Sequence, residues 1–282
     1  MKDLGDNAYA GITDSTTFNF LTLNSDGSIP ALPAYPGQAG LRVGMSVSSA
    51  GDVNGDGYDD VIVGADALAT NAGRAFVIYG NASGTGASLV NGSVSAGAGF
   101  QIKGGDYMGQ SVSGAGDVNG DGYADLIVAA NSTNPAGGAY VVYGKPVGAD
   151  VVIAPSGSIA ASDGYQITGN VGFRVSSAGD VNGDGLADLL VKGADAYVVY
   201  GNTTGGGLNL TSGTIAASNG FKIKGLGGNI SSAGDVNGDG LADIIVAGPS
   251  ATNPAAFVVY GNASGAEIDI SSEKRILQNN FM

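Results

Sequence analysis

The amino-acid sequence predicts an all-β fold in which four-stranded antiparallel sheets repeat along the chain. Three observations lead to this prediction. Glycine and proline supply 51 and 8 of the 282 residues while only 13% are charged, a composition rich in turns and poor for helices. One acidic phrase recurs four times, and β-branched and aromatic runs follow each copy. Hydrophobic residues make up 43% of the chain, enough for a sizeable core.

The acidic phrase defines the repeat. The phrase Ala-Gly-Asp-Val-Asn-Gly-Asp-Gly begins at Ala50, Ala115, Ala178 and Ala233. The spacings of 65, 63 and 55 residues suit an array of small sheets better than a helical solenoid. The repeats are predicted at about 41–104, 105–169, 170–225 and 226–282.

Four β-segments are predicted in each repeat. A short Ser/Val segment precedes the acidic phrase, and a continuous apolar run follows it at residues 61–63, 126–128, 189–191 and 244–246. An aromatic and β-branched run closed by glycine comes next, at residues 76–80, 140–144, 197–201 and 257–261. The fourth segment alternates apolar and polar residues, at 100–103, 165–168 and 221–224. Continuous apolar runs indicate strands that are covered on both faces, and alternation indicates a half-exposed outer strand. This change from buried to exposed strands within one sheet is typical of the blades of a β-propeller.

Several function classes are excluded by composition. The chain has no cysteine, histidine or tryptophan, which excludes disulfides, thiolate nucleophiles, imidazole bases and the usual zinc ligands. The formal charge of −14 has the wrong sign for binding a phosphate backbone, so nucleic acid is not an expected partner. No stretch approaches 18 consecutive apolar residues, so membrane insertion is not expected either.

The acidic phrase opens a nine-residue loop with the chemistry of a metal site. Oxygen-bearing side chains occupy positions 1, 3, 5 and 9 of every copy. They are Asp52, Asn54, Asp56 and Asp60; Asp117, Asn119, Asp121 and Asp125; Asp180, Asn182, Asp184 and Asp188; and Asp235, Asn237, Asp239 and Asp243. Position 7 varies in side chain, as expected of a residue that offers only its backbone carbonyl: Tyr58, Tyr123, Leu186 and Leu241. Glycine at positions 4 and 6 lets the loop turn tightly.

Hard oxygen ligands on a flexible loop favour calcium over magnesium, so four calcium ions are predicted. An EF-hand needs a glutamate at position 12, where this chain has a strand valine in every copy. The alternative is that Asn-Gly and Asp-Gly form hairpin turns that bind no metal. Turn formation requires only the glycine, so the repeated oxygen positions favour the calcium interpretation.

The repeat resembles the FG-GAP repeat of integrin α-subunit propellers and of bacterial integrin-like proteins, through its Asp-x-Asn-x-Asp-Gly-x-x-Asp loop over residues 41–282. The Phe-Gly dipeptide after which the repeat is named is not kept, and Val43-Gly44 stands in its place in the first copy. The resemblance implies that the loop joins the first two strands of a blade, that the sixteen side chains at positions 1, 3, 5 and 9 hold calcium, and that the protein is an extracellular or cell-surface scaffold for adhesion. It also implies seven blades, whereas this chain shows four.

Residues 1–40 lie outside the repeats, and within them residues 16–23 read as a strand similar to the opening strand of integrin α-subunits. The fourth repeat reaches only the first residue of its outer strand, Phe281. The N-terminal strand is therefore expected to complete the last blade, either within one chain, closing a four-bladed ring, or between copies, forming oligomers or filaments. The alternative is a flexible leader.

Two other functions stay open. A calcium-dependent carbohydrate-active enzyme, a lyase or hydrolase, would need one asymmetric set of groups, and none stands out among the acids and arginines outside the loops. These are Asp66, Asp106, Asp163, Asp195, Arg42, Arg74 and Arg174. A glycan-binding propeller would use the repeated aromatic residues, which are more often core. The leading prediction is a non-enzymatic scaffold whose partner is a protein or glycan surface, or other copies of itself.

Overall fold

The computed structural model describes residues 41–67, 73–82, 89–90, 93–95, 97–105, 107–130, 138–154, 156–169, 171–172, 174–225, 228–248 and 256–270. All regular structure in these ranges is β-strand, and they contain no apolar helix long enough to cross a membrane. The strands are β1 Leu41–Gly51, β2 Asp60–Ala67, β3 Arg74–Ile78, β4 Leu89–Val90, β5 Ser93–Val94, β6 Gly99–Lys103, β7 Met108–Gly116, β8 Asp125–Ala130, β9 Gly138–Val142, β10 Val151–Val152, β11 Gly164–Thr168, β12 Arg174–Gly179, β13 Asp188–Lys192, β14 Ala196–Val199, β15 Leu208–Asn209, β16 Gly220–Lys224, β17 Ile230–Gly234, β18 Asp243–Ala247, β19 Ala256–Val259 and β20 Ile268–Asp269.

The predicted four-stranded antiparallel blades are confirmed. The first blade is β1-β2-β3-β6, the second β7-β8-β9-β11 and the third β12-β13-β14-β16, with neighbouring strands antiparallel throughout. The fourth blade has three described strands, β17-β18-β19. Its expected outer strand at Phe281 and the expected strand at residues 16–23 both lie outside the described residues.

Each complete blade carries a fifth strand that the sequence interpretation did not include. Strand β10 comes from the second repeat but pairs in parallel with β6 of the first blade, Val151 opposite Ile102. Strands β15 and β20 extend the second and third blades in the same way. The segment before the outer strand of each later repeat thus pairs with the outer strand of the preceding blade, and it covers a sheet edge that would otherwise be open.

Three large apolar clusters each fill the space between two consecutive blades, and a smaller fourth cluster of Val63, Ala65 and Phe76 lies on the outer side of the first blade. Strand β8 shows how one strand serves two clusters, because Leu126 and Val128 face the first blade while Ile127 and Ala129 face the third. Its six residues are all buried. Continuous apolar runs in the sequence therefore correspond to strands covered on both faces, as predicted.

The four described blades do not close into a ring. Val47 of the first blade and Ile245 of the last are both exposed, although their counterparts in the other blades are buried. The inner parts of both end faces therefore lack a neighbouring blade, and the described residues do not form the four-bladed ring considered from the sequence. Farther out on the first blade, Val63, Ala65 and Phe76 are buried beside Val94 of β5.

Candidate metal-binding loops

Each acidic loop begins at a β-bulge between the first two strands of its blade. In the first blade the register shifts after Ser49, so that Gly51 lies opposite Asp60. Gly51 has φ +72°, a left-handed conformation that glycine adopts without strain. The loop enters strand β2 directly, which agrees with the sequence argument against an EF-hand.

The position-1 aspartate organises the loop around its own carboxylate. In the first loop Asp52 Oδ1 accepts hydrogen bonds from the backbone N–H groups of Gly55 at 2.7 Å and Asp56 at 3.0 Å. Its Oδ2 accepts from the N–H of Gly57 at 2.9 Å. The other loops repeat this arrangement around Asp117, Asp180 and Asp235.

Positions 3 and 5 continue the same network. Asn54 Oδ1 accepts from the N–H of Asp56 at 2.9 Å, and Asp56 Oδ1 accepts from the N–H of Tyr58 at 2.9 Å. Asn54 Nδ2 donates to Asp56 Oδ2 at 2.9 Å. The pairs with the same contacts are Asn119 and Asp121, Asn182 and Asp184, and Asn237 and Asp239, with the position-7 N–H donated by Tyr123, Leu186 and Leu241.

The position-9 aspartate is buried and holds two strands together. Asp60 Oδ2 accepts from the N–H of Val53 at 3.0 Å, and its Oδ1 accepts from the N–H of Gly80 at the end of β3, at 2.8 Å. Its counterparts make the same two bonds: Asp125, Asp188 and Asp243. All four are almost inaccessible to solvent. The sequence indicated a ligand here but not this structural role.

Burial disfavours the charged form of three position-9 carboxyl groups, those of Asp60, Asp125 and Asp188. Desolvation raises the pKa of Asp60 to about 6, and the carboxylates of Asp56 and Asp52 add to the rise against the two backbone hydrogen bonds. The pKa values of Asp125 and Asp188 rise to about 7 for the same reasons. A cation beside these groups would favour their charged forms.

The carboxylate and amide oxygens of each loop are ligands that a hard divalent cation prefers, although in this structure they accept hydrogen bonds from the loop's own N–H groups. Each loop brings the oxygens of positions 1, 3 and 5 onto one short run of backbone, with position 9 at its base. Among the described residues, no three acidic side chains lie close enough together to hold a metal as they stand. The oxygens of positions 1, 3, 5 and 9 would hold the ion together with the position-7 carbonyl, and the ion would supply positive charge that joins the strands around the loop.

The loops also lie where consecutive blades meet. The backbone carbonyl of Asp52 accepts from the N–H of Ala124, position 8 of the next loop, at 3.0 Å. Gly51 lies beneath the same alanine, since a Cβ on Gly51 would be 2.8 Å from the Cβ of Ala124. Equivalent bonds join Ala187 to Asp117 and Ala242 to Asp180. We call each such contact between consecutive blades a seam.

The acids considered as catalytic groups are mostly ion-paired. Buried Asp66 accepts from Arg42 on the neighbouring strand, with Nε to Oδ1 at 2.8 Å. The remaining pairs are Lys145 with Asp163 and Lys222 with Asp195, each at 2.7 Å. Arg74 donates to Gln101 at 3.1 Å, Arg174 is exposed on β12, and Asp106 lies outside the described residues. The structure does not bring these residues into one constellation.

A surface cleft of about 420 Å³ lies beside β11 and β15. Its lining is uncharged and includes Tyr165, Gln166, Thr168 and Asn209. Tyr165 is the outer-strand aromatic of the second blade, where the first and third blades have phenylalanine, and among the residues that the structure describes its buried hydroxyl has no hydrogen-bond partner. The cleft contains polar groups but no acid or base for catalysis.

Comparison with known families identifies the repeat. The FG-GAP repeat family matches residues 43–78, 108–142 and 227–266, and the FG-GAP-like repeat family matches residues 180–246. Together these matches cover more than half of the chain, and each falls on the blades described above.

The chain is also similar to several known proteins. It is 34% identical to phosphatidylinositol-glycan-specific phospholipase D of Bos taurus over 58% of this chain and 20% of that protein. It is 30% identical to integrin alpha-4 of Xenopus laevis over 54% of this chain and 14% of that protein. With integrin alpha-PS2 of Drosophila melanogaster the identity is 29%, over 58% of this chain and 12% of that protein. The chain spans a fifth or less of these relatives. The repeats, the blades and these similarities together show that the chain belongs to the FG-GAP repeat proteins and is an integrin-α-like β-propeller.

Proposed function

We propose that this chain is a non-enzymatic scaffold that binds four calcium ions and works in adhesion outside the cell. The supporting observation is that all four loops hold the same carboxylate and amide oxygens in the same hydrogen-bonded arrangement. A hairpin turn requires only a glycine, whereas each loop also keeps three carboxylates and an amide close together, and this concentration of negative oxygens favours a shared cation.

Charge supports calcium as the ion. The loops hold 13 of the 25 acidic residues, 12 of them at predicted ligand positions, and four divalent cations would change the formal charge from −14 to −6. Each ion would lie between a loop and the strands that its position-9 aspartate joins, so binding would stabilise the blade. Calcium bound only by the folded state at one hundred times its dissociation constant stabilises that state by about 2.7 kcal/mol per site.

The partner is proposed to be a protein surface, because several relatives are integrin alpha chains by name. The same relatives support an extracellular or cell-surface location. A glycan is the alternative partner, favoured by the uncharged cleft beside Tyr165. Binding of the chain to a glycan array, lost on changing exposed Asn209 of the same cleft to alanine, would support the alternative.

An enzymatic role rests on one class of relatives, the phosphatidylinositol-glycan-specific phospholipases D. The ion pairs of Asp66, Asp163 and Asp195 engage the acids that such a role would need, so we propose a scaffold instead. Assays of phosphodiester and glycoside hydrolysis with calcium present would test this, and turnover abolished by Asp163→Asn would contradict the scaffold.

Self-association by strand exchange is the part of the proposal that involves residues 1–40. Deleting residues 1–30 should reduce oligomers to monomers in sedimentation experiments if the N-terminal strand is donated to a neighbour. An unchanged oligomeric state and an unchanged melting temperature would show that the N-terminal strand neither completes the last blade nor joins copies of the chain.

Calcium binding is tested by thermal unfolding with calcium and with chelator, using a matched pair of variants. Asp56→Asn removes a charge at position 5 of the first loop, and Asp59→Asn removes a charge from the same loop at position 8, outside the predicted ligand set. Both side chains are exposed. The wild type and Asp59→Asn should gain the same calcium-dependent stability, while Asp56→Asn should gain less. Equal gains in both variants, or none in the wild type, would contradict the assignment.

A further inference from the structure

The inner part of the first blade's outer side carries an apolar surface that has no neighbour among the described residues, whereas farther out on the same side Val63, Ala65 and Phe76 are buried beside Val94 of β5. Val47 is 57% exposed, whereas its counterparts in the later blades are 4–8% exposed: Val112, Val175 and Ile230. Val61 is 39% exposed, whereas its counterparts are fully buried: Leu126, Leu189 and Ile244. We call Val47, Ser49, Asp59 and Val61 the first-blade face.

The last blade carries the opposite half of the same interface. Val236 is 56% exposed, whereas its counterparts are fully buried: Val53, Val118 and Val181. Ile245 is 40% exposed, whereas its counterparts are fully buried: Ile62, Ile127 and Leu190. We call Ala233, Gly234, Asp235, Val236 and Ile245 the last-blade face.

Polar groups on the two faces match as donors and acceptors. At the internal seams the position-8 N–H donates to the position-1 carbonyl of the preceding blade, at 2.8–3.0 Å. Ser177 and Ser232 each donate a hydroxyl to an alanine carbonyl of the preceding blade, at 3.2 Å. The first-blade face holds the donor halves of these bonds, at Asp59 and Ser49. The last-blade face holds the acceptor halves, at Asp235 and Ala233.

The last-blade face also has an open space for the incoming residue. At the three internal seams a glycine lies under the position-8 alanine, and a Cβ added to that glycine would be 2.6–2.8 Å from the alanine Cβ. Gly234 is the equivalent glycine of the last blade, and among the described residues nothing lies within 4 Å of the position of its Cβ. The residue that would meet it from a first blade is Asp59, where the internal seams have alanine.

We infer that the two faces dock onto each other between copies of this chain, so that the first blade of one copy packs on the last blade of the next. Both faces are open in the same chain, and a second copy presents the complementary apolar residues, donors and acceptors. The interface is heterologous, so it adds copies head to tail. This inference rests on the self-association part of the proposed function but uses a different surface from the N-terminal strand.

Asp59 is the one mismatch, and it makes the contact weaker than an internal seam. Its carboxylate would enter the seam beside the fourth loop, where Asp235 and Asp239 already carry negative charge. Calcium in that loop would reduce the repulsion, so association should strengthen with calcium. Replacing Asp59 by alanine recreates the internal sequence, and relief of the like-charge contact should lower the dissociation constant by about two-fold to five-fold.

Sedimentation velocity of the full chain in calcium, over a range of concentrations, tests the inference. The wild type should grow in mass with concentration, and Asp59→Ala should do so at lower concentration. Val47→Asp and Ile245→Asp each block one face at an exposed position, so both should fold and weaken association more than about ten-fold. An equimolar mixture of these two variants should form dimers and nothing larger, because each retains one intact face.

Several results would overturn the inference. They are a wild type that stays monomeric with calcium bound, face variants that associate like the wild type, and a mixture of the two variants that forms no dimer. Association that survives the face variants but is lost on deleting residues 1–30 would assign assembly to strand exchange. Calorimetry on the same samples separates this from the metal assignment, because the chain can bind calcium and remain monomeric.

Discussion

Replacing Gly116 by alanine tests the packing between the second and third blades. Gly116 has φ +77°, and a left-handed backbone disfavours a side chain by about 1–2 kcal/mol. The new Cβ would also lie 2.7 Å from the Cβ of Ala187 in the next blade, so the seam must open. Overpacking of this kind costs about 1–3 kcal/mol. Gly116→Ala should therefore lower the free energy of unfolding by about 2–5 kcal/mol.

Gly234→Ala is the matched control for this prediction. Gly234 has nearly the same backbone conformation, φ +70°, but no atom of the described residues lies within 4 Å of its Cβ position. The control should lose only the backbone part, about 1–2 kcal/mol, measured by urea unfolding at a protein concentration where the chain is monomeric. Equal losses in the two variants would refute the description of the seam as a close glycine–alanine contact.

Three further predictions concern the loops and the fifth strand. Asp125→Ala leaves two buried backbone N–H groups without an acceptor, so in chelator it should lower the free energy of unfolding by about 2–6 kcal/mol, measured by urea unfolding. Asp121→Ala, at an exposed position of the same loop, should have little effect in the same measurement. The pKa values of Asp125 and Asp188 rise from 3.8 to about 7 on folding, so the folded state binds protons more tightly. In chelator, the stability from these groups is present below pH 4 and lost as the pH rises to 7, and saturating calcium should reduce this loss in pH-dependent melting. Buried Val151 in β10 should lose about 1–3 kcal/mol on change to alanine while exposed Val152 loses little, and equal losses would argue against the parallel fifth strand.

The sequence was sufficient to predict the blade and its loop because both are local and repeated. Four copies of one phrase indicated where each loop between the first two strands lies. The apolar runs after them became β2, β8, β13 and β18, of which β8 and β13 are covered on both faces while β2 and β18 each leave an apolar residue exposed on one face. The alternating segment at residues 165–168 became the outer strand β11. In each case the pattern reflects contacts within one blade or with an identical neighbour.

Features that depend on contacts between repeats could not be predicted in the same way. Strand β10 has only two residues, and its partner Ile102 belongs to the preceding repeat. The apolar residues Val151 and Ile153 therefore pack against a distant part of the chain, and their short pattern does not indicate a strand on its own. Asp60 looked like one ligand among four, but its burial and its bond to Gly80 arise from the return of β3, twenty residues later. The exposed residues on the first and last blades result from the lack of a neighbouring blade, and the sequence of a repeat does not indicate whether a neighbour is present.

The most direct test of the central claim is the anomalous scattering of crystals grown in millimolar calcium. We expect four peaks, one in each loop, with carboxylate and amide oxygens of positions 1, 3, 5 and 9 at about 2.3–2.6 Å from the ion. Loops that remain closed on their own N–H groups, with no peak beside Asp52 or its three counterparts, would contradict this expectation.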